Sequence, residues 1–196
     1  MTIRENALIA LRKTLELYTA ISDDTWQEFV DICKFKAIKK YDLIYKIGDI
    51  PLSYSYLYSG LVRCYSCDVN GNEFNKTFFN EGKFPGSMTA LLSSSPSSLS
   101  HEALEDSLII EIDFSGYRKL MLKNDELKLF QIYYLEKNWL LAKEAREIDF
   151  VQNDAAARYL CFIDEYSALK NRLPQYHIAS YLGITPTQLS RIKKNL

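Results

Sequence analysis

The hydrophobic positions along the chain change their spacing twice, and these changes divide the sequence into three parts. In residues 3–20 they recur at helical intervals, and a second short helix follows, with Ser22 or Asp23 as its N-cap. From Phe35 to about Asp113 the apolar and aromatic residues instead form short runs separated by turn residues, which predicts an antiparallel β-sandwich or barrel. Beyond that point the spacing is helical again.

The predicted strands, in chain order, are FKAIKK, LIYKIGD, SYLYSG, LVRCYSCD, FNKTFFNEG and LIIEID. Asn70-Gly71, between the fourth and the fifth, is the strongest hairpin signal because both residues tolerate a positive φ. The run SSSPSSLS at residues 93–100 has the composition of a flexible linker, although folded β-like segments flank it. It is therefore either a hinge between two modules or a loop inside one.

The third part opens with a short helix around Gly116–Leu122 and continues with a long one from Asn124 to about Ile148. The long segment lacks glycine and proline, and as one helix it would measure roughly 37 Å. Its two apolar stripes comprise Leu127, Phe130, Tyr134, Leu141, Ala145 and Ile148, and Ile132, Leu135, Trp139 and Ala142. It is either a coiled-coil dimer helix that also contacts its own domain or a core helix with one wide apolar face. We favour the dimer, because one small β-domain cannot cover so long a helix.

Composition restricts the class of protein further. Apolar residues make up 47% and charged residues 25%, which is ordinary for a folded globular chain. No apolar run approaches the roughly 20 residues needed to cross a bilayer, and the N-terminal segment lacks the apolar centre of a signal peptide. We therefore expect a cytoplasmic protein with no membrane partner and with reduced cysteines.

Candidate redox, metal and catalytic residues are few. Cys64 and Cys67 form a CxxC pair, but in a strand an offset of three puts the two side chains on opposite faces, so we interpret them as structural thiols rather than as a redox or metal site. His101 and His177 are the only histidines, which argues against a bound metal. The sequence offers no nucleophile–base pair, catalytic carboxylate pair or glycine-rich phosphate loop. We therefore expect neither an enzyme nor a cofactor.

The C-terminal segment QYHIASYLGITPTQLSRIKKN, residues 175–195, has the pattern of a helix-turn-helix unit. Ala179 falls where the two helices cross and only a small side chain fits, and Gly183 falls in the tight turn, which favours a positive φ. Thr185 is expected to cap the second helix, with Pro186 at its first position. The predicted buried face comprises Ile178, Leu182, Ile184, Leu189 and Ile192.

The second helix is expected to expose a polar and basic face, which comprises Thr187, Gln188, Ser190, Arg191, Lys193 and Lys194. Arg191 can bond guanine and Gln188 adenine, Thr187 and Ser190 can reach bases or phosphates, and the lysines can neutralise phosphates. Residues 174–196 contain no acid and carry a charge of +3, so the first 173 residues carry −4. The alternative is an ordinary helical hairpin with a solvated basic face. The joint match favours DNA binding by these residues together with Thr185.

A β-domain, one long helix and a C-terminal YLGITPTQLSRIKK resemble the Crp/Fnr family of bacterial transcription regulators over essentially the whole chain. The segment KYDLIYKIGDIPLSYSYLYSGLVRCYS is similar to the opening β-hairpins of that family, with glycines at Gly48 and Gly60. The resemblance implies an α+β fold: an N-terminal antiparallel jelly roll of the cyclic-nucleotide-binding type at residues 1–123, a dimerisation helix at 124–148 and a helix-turn-helix domain at 149–196. It also implies a homodimer on a palindromic operator in double-stranded DNA, with RNA polymerase as a further partner.

The resemblance makes the serine-rich run a loop within the β-domain, at the place where relatives hold a cyclic nucleotide through a Gly-Glu pair and a later Arg-Ser pair. Gly86 is present, but Ser87 stands in place of the glutamate, and no arginine occurs near Ser97 and Ser98. Serine hydroxyls replace a guanidinium poorly, so we expect that cyclic AMP is not bound in the usual mode. These four residues and Met88 form the candidate effector pocket, open to another, unidentified small molecule; the alternative is a vestigial loop.

Other branches of the family carry an iron–sulfur cluster or a haem. The first 32 residues contain no cysteine, and His101 is expected in a loop, so neither group is expected here. The sequence given ends directly after the second helix of the unit, so the DNA-binding domain either lacks a full β-wing or forms one from strands that precede the unit. The alternative function is a ligand- or partner-binding sensory module whose C-terminal hairpin serves protein interaction. The acid-free basic face at residues 185–194 favours the DNA-binding regulator.

Overall fold

The computed structural model of the protein describes residues 1–169 and 171–196, without the side chains of Ala145 and Phe150. Its helices are α1 (Ile3–Glu16), α2 (Asp23–Asp31), α3 (Met88–Ser93), α4 (Phe114–Lys123), α5 (Asp125–Leu135), α6 (Ala142–Gln152), α7 (Ala155–Glu165), α8 (Gln175–Leu182) and α9 (Pro186–Asn195). A π-helical turn (Glu136–Leu141) joins α5 to α6, and a 3-10 turn (Ser167–Leu169) follows α7. The strands are β1 (Cys33–Ile38), β2 (Leu43–Tyr45), β3 (Ser53–Ser59), β4 (Val62–Cys67), β5 (Glu73–Phe79), β6 (Ser100–Ala103) and β7 (Ser107–Asp113).

The described strands form two antiparallel sheets, in the orders β1-β7-β3 and β2-β6-β4-β5. The predicted antiparallel jelly roll is confirmed, and each of the six predicted strands is present. The predicted hairpin joins β4 to β5, where Asp68 accepts hydrogen bonds from the backbone N–H groups of Asn70 and Asn72, both at 2.8 Å, and Gly71 has a φ of 82°. Strand β6 was not predicted, because its four residues Ser100–Ala103 follow the serine-rich run and show no apolar alternation.

The N-terminal helices and α4 and α5 cover the three-stranded sheet. Their shared core comprises Ala7, Leu11, Leu15, Ile21, Phe29, Tyr54, Tyr56, Leu91, Ile110, Ile112, Tyr117, Met121, Leu127 and Phe130. Helix α1 begins at a capping box formed by Thr2 and Glu5, and Ser22 caps α2 as predicted. Through this core, the N-terminal end of the long helix packs against the β-domain.

The long helix is longer and less regular than predicted. It runs from Asp125 through the π-helical turn to Gln152, four residues beyond the predicted end, and stops where Asn153 becomes extended. Of the first predicted stripe, Leu127 and Phe130 are buried and Tyr134 packs partly against the same core, whereas Leu141 and Ile148 are exposed. That stripe therefore leaves the β-domain near the π-helical turn; its member Ala145 lies outside the described side chains.

The C-terminal helices pack against edge strand β5 rather than standing apart from the β-domain. A single apolar core joins the two, and it comprises Leu61, Phe78 and Leu104 from the β-domain with Tyr159, Phe162, Tyr166, Leu169, Leu173, Ile178, Ala179, Leu182 and Leu189. The ring of Phe78 meets those of Phe162 and Tyr166 edge-on, with centroids 6.3 and 5.7 Å apart. The helix-turn-helix unit thus has a defined place on the β-domain.

Among the residues that the structure describes, none of the helices is both long and apolar enough to span a bilayer.

Candidate nucleic-acid interface

Helices α8 and α9, at residues 175–195 where the sequence predicts the helix-turn-helix unit, are joined by a tight turn that depends on one glycine. Gly183 has a φ of 68°, in the left-handed region that glycine adopts without strain. Beyond it, the N–H of Ile184 donates to the carbonyl of Ala179 at 3.0 Å, which closes the end of α8 and turns the chain toward α9. Ala179 is fully buried where the helices meet, as predicted, and a larger side chain would separate them.

The apolar face of the unit follows the prediction. Ile178, Leu182 and Leu189 are buried, and Ile184 and Ile192 pack partly against them. Because this face is continuous with the β-domain core, the same apolar contacts hold α8 to α9 and the unit to the rest of the chain. The position of α9 therefore depends on both sets of contacts.

Helix α9 begins at a capping box, with Pro186 in its first turn. The backbone N–H of Gln188 donates to the Thr185 hydroxyl at 3.2 Å, and the backbone N–H of Thr185 donates to Oε1 of Gln188 at 2.9 Å. The Thr185 hydroxyl also donates to the same Oε1, at 3.1 Å. The predicted cap is therefore present, with Gln188 as its second member.

This use of Gln188 changes the chemistry of the exposed face. Bidentate recognition of adenine needs both the oxygen and the nitrogen of the amide, and here the oxygen is committed to the helix cap. The capped rotamer can offer only its amide nitrogen to a base edge. Arg191 is then the side chain on α9 best suited to read a base with two hydrogen bonds.

The rest of the predicted face is on the surface. Thr185, Thr187, Gln188, Ser190, Arg191, Lys193 and Lys194 are all exposed. In the described part of the chain, no ion pair involves the three basic residues of this face. Three uncompensated positive charges beside polar side chains on one short helix can accept phosphates and base edges.

The serine-rich loop is organised differently, because its hydroxyls bond one another and the local backbone. The side chains of Ser87 and Ser97 are buried and form a hydrogen bond of 2.7 Å. Ser97 Oγ also donates to the Leu99 carbonyl at 2.7 Å and accepts from the Leu99 N–H at 3.1 Å. Two of the proposed ligand-binding hydroxyls therefore already have protein partners.

The other candidate pocket residues have different surroundings. A Cβ on Gly86 would lie 2.6 Å from Cβ of Tyr54, so this glycine allows the loop to approach strand β3 closely. Met88 packs partly into the core beneath the three-stranded sheet, and Ser98 is exposed. Of the five candidates, the structure brings only Ser87 and Ser97 together as polar partners.

The position of His101 corrects the sequence analysis. It lies in strand β6, not in a loop, and its side chain is fully buried beside the rings of Tyr45 and Phe79. Neither ring nitrogen has a hydrogen-bond partner among the described residues. Burial, and secondarily the positive charge of Lys76, lowers the pKa of His101 to about 3, so its imidazole is neutral.

The cysteines agree with the structural interpretation. Cys64 is buried and Cys67 exposed on strand β4, so the two thiols point to different sides, and all four cysteines are free. Burial raises the pKa of the Cys64 thiol to about 11, which keeps it protonated. In the described residues, no group of three or more histidine, cysteine, aspartate or glutamate side chains has the arrangement of a metal site.

Sequence reasoning missed the polar contacts that attach the helix-turn-helix unit to the β-domain. Ser180 on α8 bonds two backbone groups of edge strand β5: its Oγ accepts from the Asn75 N–H and donates to the Glu73 carbonyl, both at 3.0 Å. Asn75 Nδ2 donates to the His177 carbonyl at 3.0 Å and lies 3.2 Å from His177 Nδ1. Burial, and secondarily the charge of Arg63, lowers the pKa of His177 to about 4, which leaves a neutral ring whose Nδ1 can accept.

Two arginines complete this region, and each is held by a pair of carboxylates. Arg63 on β4 is buried and contacts Glu102 at 2.5 Å and Glu73 at 2.6 Å. Arg172, between the 3-10 turn and α8, contacts Glu81 and Glu105. No local sequence pattern predicts these ion pairs, because the carboxylate partners of each arginine lie on strands and loops that are distant in the sequence.

The comparisons agree with this architecture. Residues 35–124 match the family model described as the cyclic nucleotide-binding domain. A search of curated protein sequences found no significant match. Among solved structures, FixK2 from Bradyrhizobium japonicum is 20% identical, with a TM-score of 0.72 over 84% of each chain.

Two further solved structures align with most of this chain. The c-di-GMP responsive global regulator CLP from Xanthomonas campestris is 16% identical, with a TM-score of 0.71 over 89% of this chain and 91% of that one. The catabolite activator protein from Thermus thermophilus is 18% identical, with a TM-score of 0.56 over 92% of this chain and 85% of that one. The expected resemblance is confirmed in the fold: residues 35–124 match the cyclic nucleotide-binding domain family, and the chain has the fold of Crp/Fnr-type regulators.

Proposed function

We propose that this protein is a DNA-binding transcription regulator of the Crp/Fnr type, which binds a palindromic operator as a homodimer through α9. The observation that carries the proposal is the exposed face of α9, where Arg191, Lys193 and Lys194 stand without carboxylate partners among the described residues. A regulator needs such a face for the phosphate backbone and the major groove. RNA polymerase is a further proposed partner, on the resemblance alone.

The long helix supports the homodimer. Among its described side chains, the large apolar ones that are exposed comprise Leu129, Ile132, Tyr133, Leu135, Trp139, Leu140, Leu141, Ile148 and Val151. Single exposed apolar residues are ordinary on protein surfaces, but nine along one continuous helix form a surface suited to a second copy. We propose residues 1–123 as the effector domain, 124–148 as the dimerisation helix and 149–196 as the DNA-binding domain; the helix itself extends to Gln152.

The effector loop supports a regulator that does not bind cyclic AMP in the usual mode. A cyclic phosphate needs a cation or several donors aimed at it, whereas Ser87 and Ser97 donate to protein acceptors or to each other. Another small molecule would have to displace the Ser87–Ser97 hydrogen bond to use these hydroxyls. We therefore propose a degenerate effector pocket at residues 86–98.

The proposal is tested by selecting bound fragments from the host genome and measuring the affinity for the selected site over a range of salt concentrations. Binding should fall steeply with salt, because each neutralised phosphate releases counterions. Arg191→Ala should cost about 1–3 kcal/mol on the selected site and relax the preference at one base position. Lys193→Ala should weaken binding to all sequences alike and reduce the salt slope by about one.

Lys119→Ala is the matched control, because Lys119 is an exposed lysine on α4, outside α9. The affinity of this variant for the selected site, and the dependence of that affinity on salt, should equal those of the unmodified protein. Absence of salt-sensitive binding to any selected fragment would contradict the proposal. It would favour the sensory module whose C-terminal hairpin contacts protein.

A further inference from the structure

The contacts between the helix-turn-helix unit and the β-domain indicate a role for a residue that lies outside the DNA-binding face. This inference rests on the proposed function. We propose that Arg172 is a positioning residue, which fixes the orientation of the helix-turn-helix unit on the β-domain and thereby sets the distance between the two α9 helices of a dimer. Arg172 is not on the DNA-binding face. It acts through the carboxylates of Glu81 and Glu105.

The guanidinium of Arg172 is held by two carboxylates from different loops. Its Nε and Nη2 donate to Glu105 at 2.9 and 2.6 Å, and its Nη1 and Nη2 donate to Glu81 at 3.0 and 2.9 Å. Nη2 also donates to the Gly60 carbonyl at 2.9 Å. A planar group held on two edges is fixed in position and in orientation, which a lysine ammonium could not achieve.

The Glu81 carboxylate is itself held by the backbone of the β-domain. Glu81 Oε1 also accepts from the backbone N–H of Gly60 at 3.0 Å. Burial tends to raise the pKa of Glu81, but the hydrogen bonds from Arg172 and from backbone N–H groups outweigh it and lower the pKa overall. Glu81 is thus the ionised partner of Arg172 at neutral pH, attached to the turn between β3 and β4.

A second set of polar contacts with the β-domain lies on α8. Two points of attachment are needed to define the angle between the helix-turn-helix unit and the β-domain. Ser180 bonds the backbone of edge strand β5, and Asn75 bonds His177 one helical turn earlier. Helix α8 continues through the Gly183 turn into α9, and Leu182 and Leu189 are buried in the same core. Arg172 and Ser180 therefore attach one packed body at two points.

Apolar contact alone would not set the angle with the same accuracy. The aromatic side chains around Phe78 supply non-directional attraction, whereas the Arg172 hydrogen bonds have a fixed geometry. In a two-fold dimer the recognition helices must meet half-sites about one helical turn of DNA apart, roughly 34–36 Å. A small rotation of each unit changes that separation, and the second half-site then binds less well.

The experiment uses the full-length protein and a series of synthetic duplexes built from the site selected with the unmodified protein. The series contains the native palindrome, the same half-sites separated by about one or two further base pairs, and a single half-site. Affinity is measured by fluorescence anisotropy at one salt concentration. The variants are Arg172→Gln, the double variant Glu81→Gln with Glu105→Gln, and Arg118→Gln as the matched control, since Arg118 is an exposed arginine on α4.

For the unmodified protein and the Arg118→Gln control, we expect the native spacing to bind about tenfold or more tightly than the altered spacings, because only it allows both half-sites to be engaged. Arg172→Gln and the double variant should lose about tenfold on the native spacing, with the difference between spacings reduced to less than about threefold. Their affinity for the single half-site should remain within about twofold, because the face of α9 is unchanged.

An unaltered spacing preference in both variants would overturn the role of Arg172 while leaving the proposed function intact. An equal loss on every duplex, half-site included, would also overturn it, because that pattern reports a loss of folded protein rather than a change of angle. Should Arg172→Gln fail to fold, the double glutamine variant decides by the same criteria. No binding by the unmodified protein would overturn both the proposed function and this inference.

Discussion

The serine-rich loop and the helix-turn-helix unit are the two places where the resemblance to the Crp/Fnr family implies binding, yet their polar groups differ in whether they already have protein partners. In the loop, the hydroxyls of Ser87 and Ser97 are buried and bond each other and the nearby backbone. In the unit, Arg191, Lys193 and Lys194 are exposed and have no carboxylate partner in the described residues. Polar residues at a site indicate binding only when their hydrogen-bonding groups remain available to a ligand.

The two regions also differ in how much substitution they should tolerate, and the largest effect is expected in the unit. Ala179→Leu places extra methyl groups at the fully buried helix crossing and should lower the free energy of unfolding by about 3 kcal/mol. Urea denaturation measures this loss, and DNA binding should fall with it because α9 is displaced. Thr89→Leu, at an exposed position of α3 beside the loop, should stay within about 0.5 kcal/mol of the unmodified protein. Similar losses of stability in Ala179→Leu and Thr89→Leu would contradict the expectation that the helix-turn-helix unit tolerates substitution less well than the loop.

The next effect concerns the strand that follows the loop and its buried histidine. His101 has a pKa of about 3 in the folded protein and near 6.5 when unfolded, so between these values the unfolded chain binds more protons and stability rises with pH. Lowering the pH from about 8 to about 5 should therefore cost about 2 kcal/mol through His101 alone. Above roughly pH 7 this contribution no longer changes.

The control for this effect is His101→Phe, which keeps an aromatic ring beside Tyr45 and Phe79 but cannot titrate. Urea denaturation at both pH values should show a smaller acid-induced loss in the variant, by about 2 kcal/mol. The remaining loss would belong to other groups, including His177, whose lowered pKa acts in the same direction. Equal losses in the two proteins would show that His101 is not buried as a neutral ring.

A smaller effect is expected within the loop. Ser97→Ala removes the bond to Ser87 and both bonds to the Leu99 backbone and should cost about 1–2 kcal/mol of folding stability. Ser98→Ala, at the exposed neighbouring position, should change it by less than about 0.5 kcal/mol. Thermal and urea denaturation of the two variants measure the difference. Equal behaviour would mean that the Ser97 hydroxyl is not a structural group.

The smallest expected effect is that of cyclic AMP itself. At about 1 mM the nucleotide should leave the thermal stability unchanged, whereas a ligand at about 100 times its Kd would stabilise by about 2.7 kcal/mol. The observation behind this expectation is the pairing of Ser87 with Ser97 in place of a cationic phosphate site. A clear stabilisation that disappears in Ser97→Ala would show that the loop retains the ligand-binding role. It would also remove the contrast between the two regions.

The sequence predicted the elements whose signals are local. The turn at Gly183, the cap at Thr185, the crossing at Ala179 and the exposed face of α9 all follow from rules that act over about one helical turn, and the structure agrees with each. Strand β6 was missed because four residues without apolar alternation are recognised only by the strands that flank them. The π-helical turn was missed because a single wide turn leaves no distinctive residue pattern.

The serine-rich loop illustrates why composition misleads when it is considered alone. SSSPSSLS suggested a hinge, and the resemblance moved it into the β-domain, but neither could show that Ser97 bonds Ser87 ten residues earlier. The role predicted for Gln188 shows the same limit of residue type: a glutamine suits adenine, but only the folded helix shows that its oxygen accepts the hydrogen bonds of the helix cap. Residue types define what a side chain can bond, and packing decides which partner it meets.

Apolar periodicity and capping residues act on near neighbours, so the antiparallel β-domain, the long helix and the two C-terminal helices could be predicted from sequence. How these parts are joined is apparent only in the folded chain. Arg172 meets Glu105 across 67 residues and Glu81 across 91, and no short-range rule relates positions so far apart. Such contacts exist only where the tertiary structure brings the two surfaces together, so they are recognised only in the folded chain.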